Sequence, residues 1–324
     1  MELSIIIVNW NSKDYLLKCL QSVYASLSDL SFEVIVIDNA SFDGCGEMLA
    51  RQFPVVRYIQ SEENIGFAKA NNLAASQSYG RNLLFLNPDT EIVRTAILRL
   101  IRSMETSPAA GVVGGRILNT DGTLQTSCVQ SLPTVSNQLL GLNLLQRWFP
   151  ASGLWGKAAL YKDARDPVEV EGITGACLMT TRDIFEKVGR FSEDYFMYFE
   201  DMDYCLKVRR GGWRNYYVPD AIIVHHGGKS SGGQYSRFST LLMAESGWLY
   251  FRKNDGWGSA LRYRFGLGLA MLFQAPLLGA LLLPNLFCQC RKHVKPALLK
   301  RWHTILWSVG LISPCKAVPT PSVQ

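Results

Sequence analysis

Three short segments hold most of the chemistry this sequence offers: Asn87-Pro88-Asp89, Glu200-Asp201-Met202-Asp203, and the run from His225 to Gly233. The first follows the apolar stretch Leu83–Leu86, so Asp89 should project from a rigid strand end. One carboxylate there suits Mg²⁺ or Mn²⁺, hard cations that complete their shells with water and substrate phosphate oxygens. A departing diphosphate would supply those oxygens, and the metal would neutralise the charge that develops on it. A strand-ending turn about Pro88 is the plainer use of the same tripeptide. The second segment heads a helix whose last turns hold Lys207, Arg209 and Arg210 and which Gly211-Gly212 closes. An acidic first turn complements the helix dipole. That alone leaves unexplained the aromatic residues Tyr195, Phe196, Tyr198 and Phe199, which lead into the acids and would hold them rigidly. A base that takes a proton from an attacking hydroxyl needs such placement, and one of these carboxylates is the candidate. In the third segment, glycines flank Lys229 and Ser230, so backbone N–H groups and one ammonium can approach phosphate. The spacing is not that of a Walker loop. His225 and His226 are open to either a ligand or a structural role.

The elements that must position these groups follow from hydrophobic patterning. Strands are expected at Ser4–Val8, Glu33–Ile37, Val55–Ile59 and Asn82–Leu86, with helices over about 12–27, 43–52 and 66–78 between them. Alternation of this kind predicts an α/β fold with parallel strands. Each strand ends in polar residues: Asn9 and Asn11, Asp38-Asn39, Glu62 to Asn64, and Asn87 to Asp89. In an open α/β sheet the carboxyl ends of the strands line one crevice, where ligands bind. Residues 107–165 read as loops and short strands, with a turn at Asn119–Gly122 and a Leu/Trp-containing stretch from Leu139 to Trp155, and no chemistry is assigned there. Further on, a strand is expected over Gly172–Thr181, a helix over about 181–188, and strands near 214–218 and 221–225.

With 324 residues, 48% of them hydrophobic, the chain can bury a large core. Its charge of +6 is unevenly placed, because eight basic residues and no acidic ones follow Asp255. Removing those eight leaves residues 1–255 at about −2. From Phe265 to Cys290 no residue is charged, a length compatible with a membrane span. Gly266, Gly268, Pro276, Gly279 and Pro284 interrupt it, and Arg262, Arg264, Arg291, Lys292 and Lys295 flank both ends, against the positive-inside bias of a single span. The sequence therefore predicts a domain over 1–255 and a basic, apolar helical tail over 256–324. The tail is read as a broken or re-entrant helix on the inner face of the membrane, helped by Trp302 and Trp307, with a true span, a soluble helical subdomain or a dimer face as alternatives. Interleaved apolar residues make lipid, not nucleic acid, the expected partner of this basicity. Met1 is followed directly by the first strand, so no signal peptide is expected, and the eight scattered cysteines are read as reduced thiols of a cytoplasmic protein.

Seven segments, taken together and in order, make the chain resemble the family 2 glycosyltransferases of GT-A fold, most closely their rhamnosyltransferase-like branch. They are Ser4–Asn11, Val36–Ser41, Asn64–Asn72, Leu86–Asp89, Thr174–Cys177, Phe199–Asp203 and His225–Ser230, within a similarity that spans about residues 3–255. The resemblance implies a Rossmann-like nucleotide-sugar-binding domain with a mostly parallel central sheet. It implies that Asp38 reads the pyrimidine base with Asn9 beside it, and that Asn64 and Gly66 shape the nucleotide pocket. Gly175 would lie where the backbone approaches the donor sugar and the acceptor. Asp89 matches the metal-binding Asp of the family's DxD motif, with His225 as a further metal ligand, whereas His226 does not fit the spacing. Asn87 stands where the first Asp of that motif would be, which removes one negative charge beside the donor. Asp201 matches the general base, with Glu200 and Asp203 in support on the acceptor side. The implied reaction is a single inverting displacement using Mg²⁺ or Mn²⁺, without a covalent sugar–enzyme intermediate. The branch suggests dTDP-L-rhamnose as donor and a lipid-linked saccharide, such as a growing O-antigen, as acceptor. Two other readings remain. A sugar nucleotidyltransferase would want a glycine-rich basic loop after the first strand, where this chain has Asn9-Trp10-Asn11-Ser12. A membrane-docked, non-catalytic GT-A scaffold would be consistent with Asn87 but not with retained Asp89, Asp201 and His225.

Overall fold

The computed structural model describes residues 1–27, 30–125, 127–139, 166–227, 236–282 and 291–314. Eleven strands are described: β1 (Leu3–Asn9), β2 (Phe32–Asn39), β3 (Arg57–Ser61), β4 (Asn82–Leu86), β5 (Thr90–Ile92), β6 (Ala110–Leu118), β7 (Val129–Gln130), β8 (Val168–Val170), β9 (Gly172–Ile173), β10 (Cys177–Thr181) and β11 (Arg214–His225). Nine form one sheet in the order β3-β2-β1-β4-β10-β6-β11-β5, with β8 also against β11, and β7 pairs β9. β1 is parallel to β2 and β4, β2 to β3, and β6 to β11. β10 runs antiparallel between β4 and β6, and β5 and β8 run antiparallel to β11. Six strands thus point one way and three the other, which is the mostly parallel sheet expected.

Every residue of β1 is buried, because helices cover both faces of the sheet. Side chains of successive strand residues point to opposite faces. Ile5 and Ile7 accordingly pack with Leu16, Leu20, Leu49 and Ile97 on one side, while Ile6 and Val8 pack with Ala68, Ala74, Phe185 and Tyr204 on the other. The first set draws on helices Lys13–Ser26, Cys45–Gln52 and Ala96–Thr106, the second on Phe67–Ser76, Arg182–Lys187 and Glu200–Arg210.

Several boundaries differ from the sequence reading for local physical reasons. The third strand begins at Arg57, leaving Val55 exposed in the preceding turn. The two strands expected near 214–218 and 221–225 are one strand, β11, whose pairing with β6 shifts register between Val218 and Ile222, around Pro219. A proline cannot donate to a ladder, and a bulge accommodates it. The strand expected over Gly172–Thr181 is two, β9 and β10, separated by Thr174–Ala176. The helix Ala96–Thr106 lies in a stretch for which no helix was expected, although Ile97, Leu100, Ile101 and Met104 bury one face at helical spacing. Residues 140–155 of the Leu/Trp-containing stretch, and Lys229 and Ser230, lie outside the described residues. The described cysteines, Cys19, Cys45, Cys128, Cys177 and Cys205, are all free and buried.

The described helices of the tail pack against the residues before them. Helices Arg237–Asp255, Trp257–Leu282 and Arg291–Ser308 form a third cluster with Tyr195 and Met202, built around Phe251, Tyr263 and Trp307. Trp307, expected at the lipid surface, is instead 1% exposed. Its Nε1 donates to Glu245 at 2.8 Å, and the Arg264 guanidinium donates to its carbonyl at 3.0 Å. Trp302 is exposed, as are Trp257, Leu261, Phe265, Leu269, Leu272 and Phe273. Among the described residues no helix is long and apolar enough to cross a membrane.

Candidate active site

The short strand β5 explains why Asp89 and His225 meet. It pairs antiparallel with β11 so that Thr90 lies opposite His225, and the residue just before Thr90 then faces the strand end. Asp89 is 4% exposed, and its Oδ1 is 3.1 Å from His225 Nε2. The other ring nitrogen, Nδ1, is 2.7 Å from Gln125 Oε1. His226 alternates to the other side of β11, where its Nε2 lies 2.6 Å from Glu91 Oε1 and its ring sits 5.1 Å from that of Tyr15. It takes no part in the site. Two cis ligands on one octahedral ion at about 2.1 Å are about 3 Å apart, so the Asp89–His225 spacing fits a shared divalent cation. One imidazole and one carboxylate leave the other positions to water and substrate oxygens.

Asp201 opens the helix Glu200–Arg210, and its Oδ2 accepts from Gly175 N–H at 2.9 Å. This bond ties the helix start to the Thr174–Ala176 break between β9 and β10. Burial raises the Asp201 carboxyl above the usual range, against the opposing donors on Gly175 and Met202. Burial raises Glu200 much further, with the charge of Asp201 adding to it, and Glu200 Oε2 is buried without a partner. The backbone leading in is strained: Tyr198 and Phe199 have φ of 74° and 68°. Left-handed backbone at bulky residues costs about 1–3 kcal/mol each and persists where its surroundings impose it, as at functional sites. Here Phe199 packs on Tyr250 and Ser246 Oγ donates to the Met197 carbonyl.

Asn64 and Gly66 form the opposite wall. Asn64 Oδ1 accepts from Asn39 Nδ2 at 2.7 Å and from Gly66 N–H at 3.0 Å. Gly66 has φ 83° and ψ 167°, a region essentially reserved for glycine. A Cβ there would lie 2.5 Å from the Phe196 carbonyl, so the aromatic run and this wall touch backbone to backbone.

Two adjoining cavities result. One, about 270 Å³, is bounded by Trp10, Asn39, Asn64, Gly66 and Asp89; the other, about 330 Å³, by Gln130, Gly175, Glu200 and Asp201. Asn87 and His225 line both. Eight of the residues singled out from sequence are thereby brought together.

Three are not. Asp38 and Asn9 are fully buried and open into neither cavity. The Asp38 carboxylate accepts from Asn9 Nδ2 at 2.9 Å, Ser41 Oγ at 2.5 Å, Gln60 Nε2 at 3.0 Å, and the N–H groups of Ser41 and Phe42. A base-reading role for Asp38 requires one of these donors to yield its place. Nearby Asp43 and Cys45 complete a trio of possible ligand atoms with Asp38. Asp43 is occupied by the N–H groups of Lys13 and Cys45, and burial pushes the Cys45 thiol up, so the trio reads as a hydrogen-bonded hub beneath the loops. Asp203, expected in support on the acceptor side, is turned away. It is 0% exposed and accepts from Ser192 Oγ at 2.5 Å and Asn254 Nδ2 at 2.9 Å, with Lys207 and Lys253 each at 3.7 Å. A buried carboxylate needs such partners, and here they clamp the helix Glu200–Arg210 to Arg237–Asp255. Gln125 went unnoticed in the sequence, since a lone amide has no signal apart from its neighbours.

Comparison with known proteins bears on the family and the fold. Residues 4–189 match the family model described as glycosyl transferase family 2. The N-acetylglucosaminyl-diphospho-decaprenol L-rhamnosyltransferase of Mycobacterium tuberculosis is 30% identical over 230 residues, covering 66% of this chain and 73% of the relative. Rhamnosyltransferase WbbL of Escherichia coli K12 is 28% identical over 236 residues, covering 68% and 82%. A mannosyltransferase from Pyrobaculum calidifontis, solved with GDP-Man and Mn²⁺, superposes with a TM-score of 0.56 over 96% of this chain and 86% of its own at 16% identity, a likeness of fold. A strand-end Asp–His pair, a helix-start carboxylate across a shared cavity and a family match over more than half the chain converge: the protein belongs to glycosyl transferase family 2, as a glycosyltransferase similar to rhamnosyltransferases.

Proposed function

We propose that the protein moves L-rhamnose from dTDP-L-rhamnose to a hydroxyl of a lipid-linked saccharide, with inversion, in cell-surface polysaccharide synthesis. The observation that supports this most is the pair of joined cavities, with Asp89 in one, Asp201 in the other, and Asn87 and His225 common to both. In this reading the smaller cavity takes the nucleotide diphosphate and the larger takes the acceptor. Asp89 and His225 hold Mg²⁺ or Mn²⁺, which, when bound, neutralises the departing diphosphate. Asp201 is oriented by Gly175 N–H and takes the acceptor proton as its oxygen attacks the anomeric carbon. Glu200, whose carboxyl is raised by burial and by the charge of Asp201, lines the same cavity in support on the acceptor side. Asp201 is the one described carboxylate of this cavity assigned as base, which suits a single displacement. The rhamnose assignment rests on the similarity to rhamnosyltransferases. It is tested by offering the protein a panel of nucleotide sugars with Mn²⁺. Preferential consumption of dTDP-L-rhamnose is expected. Consumption of another sugar alone would overturn the donor, and consumption of none would overturn the transferase mechanism.

The same proposal places the protein on the inner face of the membrane, bound peripherally. Trp257, Leu261, Phe265, Leu269 and Phe273 recur at intervals of four along one helix and are all exposed, with Arg262 exposed beside them. An apolar stripe with a basic flank is what seats a helix in an anionic interface. Phe265→Glu combined with Leu269→Glu should cut binding to anionic vesicles at least tenfold in co-sedimentation and leave donor hydrolysis unchanged. Vesicle binding equal to wild type would remove the membrane assignment.

A further inference from the structure

The hairpin after β6 sends a one-way series of hydrogen bonds to His225. Asn119 N–H donates to the Thr123 carbonyl at 2.8 Å, and Gly122, at φ 80°, closes the turn. β6 is parallel to β11, with Leu118 beside Val224, so the returning limb sets Gln125 against His225. At the far end the Asp121 carboxylate accepts from Thr123 Oγ1 at 2.6 Å and from Thr123 N–H at 2.9 Å. These bonds hold its pKa below the usual carboxylate value, and an ionised carboxylate only accepts. The Thr123 hydroxyl proton therefore points at Asp121, and its oxygen accepts from Asn119 Nδ2 at 2.9 Å. That orients the Asn119 amide, whose Oδ1 accepts from Gln125 Nε2 at 3.2 Å. Gln125 is left presenting its carbonyl oxygen to His225 Nδ1 at 2.7 Å. An amide oxygen cannot donate, so Nδ1 bears hydrogen; Nε2, 3.1 Å from Asp89 Oδ1, carries a second one only when the ring is cationic.

We infer that Gln125, aligned by Asn119, Thr123 and Asp121, is a positioning residue that fixes His225 as the Nδ1–H tautomer and reserves the Nε2 lone pair for a cation shared with Asp89. Outer partners of this kind set the ring orientation and basicity of a metal-binding histidine. The inference rests on the proposed metal site for its purpose, but the tautomer itself can be observed without metal.

Nitrogen NMR on metal-free protein labelled at histidine, at a pH where the ring is neutral, reads the tautomer directly, with His225→Asn assigning the signal. Wild type should show a hydrogen-bearing Nδ1 and a bare Nε2. Gln125→Leu should shift His225 toward the Nε2–H form, while Gln125→Glu, which still accepts, should retain the wild-type pattern. Thr123→Val, at an exposed turn position, frees the amides to flip and should give a mixture of tautomers even if Gln125→Leu does not fold. Mn²⁺ titration followed by water relaxation should show affinity weakened about 10- to 100-fold in Gln125→Leu and largely retained in Gln125→Glu. A wild-type Nε2–H tautomer, or one unmoved by either Gln125→Leu or Thr123→Val, overturns the inference. If the tautomers shift as expected but wild type binds no Mn²⁺, Gln125 keeps its role and the metal site fails.

Discussion

Asp201→Asn should lower sugar transfer by about 10²- to 10⁴-fold, the range supplied by a positioned general base, with donor affinity unchanged and the fold retained. The substitution is nearly isosteric. Its side-chain oxygen can still accept from Gly175 N–H, which Asp201 Oδ2 does at 2.9 Å, so the helix start and the Thr174–Ala176 break keep their contact. What is lost is a lone pair basic enough to take a proton. The pH dependence separates this from a loss of positioning. In the wild type, burial raises the Asp201 carboxyl, and Glu200 beside it is raised further. A base acts only when deprotonated, so the wild-type rate should fall as pH drops through this elevated range, above that of an ordinary aspartate. The two carboxyls titrate as a pair, and the limb of the profile belongs to both. Asp201→Asn should abolish that limb and leave a slow, flat rate. Full activity in Asp201→Asn would remove it from the mechanism, and an unchanged limb at low rate would move the titrating role to Glu200.

Much of this arrangement was legible in the sequence, and the reasons are specific. β1, β2 and β4 are runs of apolar residues buried on both faces, the strongest local signal a parallel strand gives. The helix Glu200–Arg210 announced itself through acids at its start, bases at its end and a glycine after it. Long-range pairing left weaker marks. β5 is three residues long and exists because β11 pairs with it, yet it sets the Asp89–His225 contact. Gln125 is ordinary until the hairpin carries it to His225. Asp203 sits in the same acidic turn as Asp201, but its position on the helix points it at Ser192 and Asn254, and nothing in composition separates the two. Asp38 matched its motif, yet the donors that surround it, Ser41 and Gln60 among them, become visible only once β2 and β3 are side by side. Trp307 read as an interfacial anchor because its partners, buried Tyr263 and half-buried Glu245, lie on other helices.

Asp89→Ala and His225→Ala should each reduce transfer about 10²- to 10³-fold, the scale on which one preorganised stabiliser of developing charge acts. If both side chains serve one cation, removing either leaves a single protein ligand, and the double variant should be scarcely worse than the singles. Residues that work as a unit are non-additive in this way, whereas independent sites would multiply their losses. Adding Mn²⁺ to high concentration should restore part of the activity of each single variant, since substrate oxygens and water still supply ligands. Asn87→Asp provides the opposite test. Asn87 lines both cavities beside Asp89 and His225, so a carboxylate there adds negative charge where the cation would sit. It should tighten Mn²⁺ binding and lower the metal concentration needed for half-maximal rate. A chain that had kept the fold without its chemistry would show no metal-dependent transfer in any of these proteins. One that used the fold without metal would show Asp89→Ala losses that no added cation repairs. The double-variant cycle with metal rescue therefore distinguishes a single-carboxylate metal site from both alternatives.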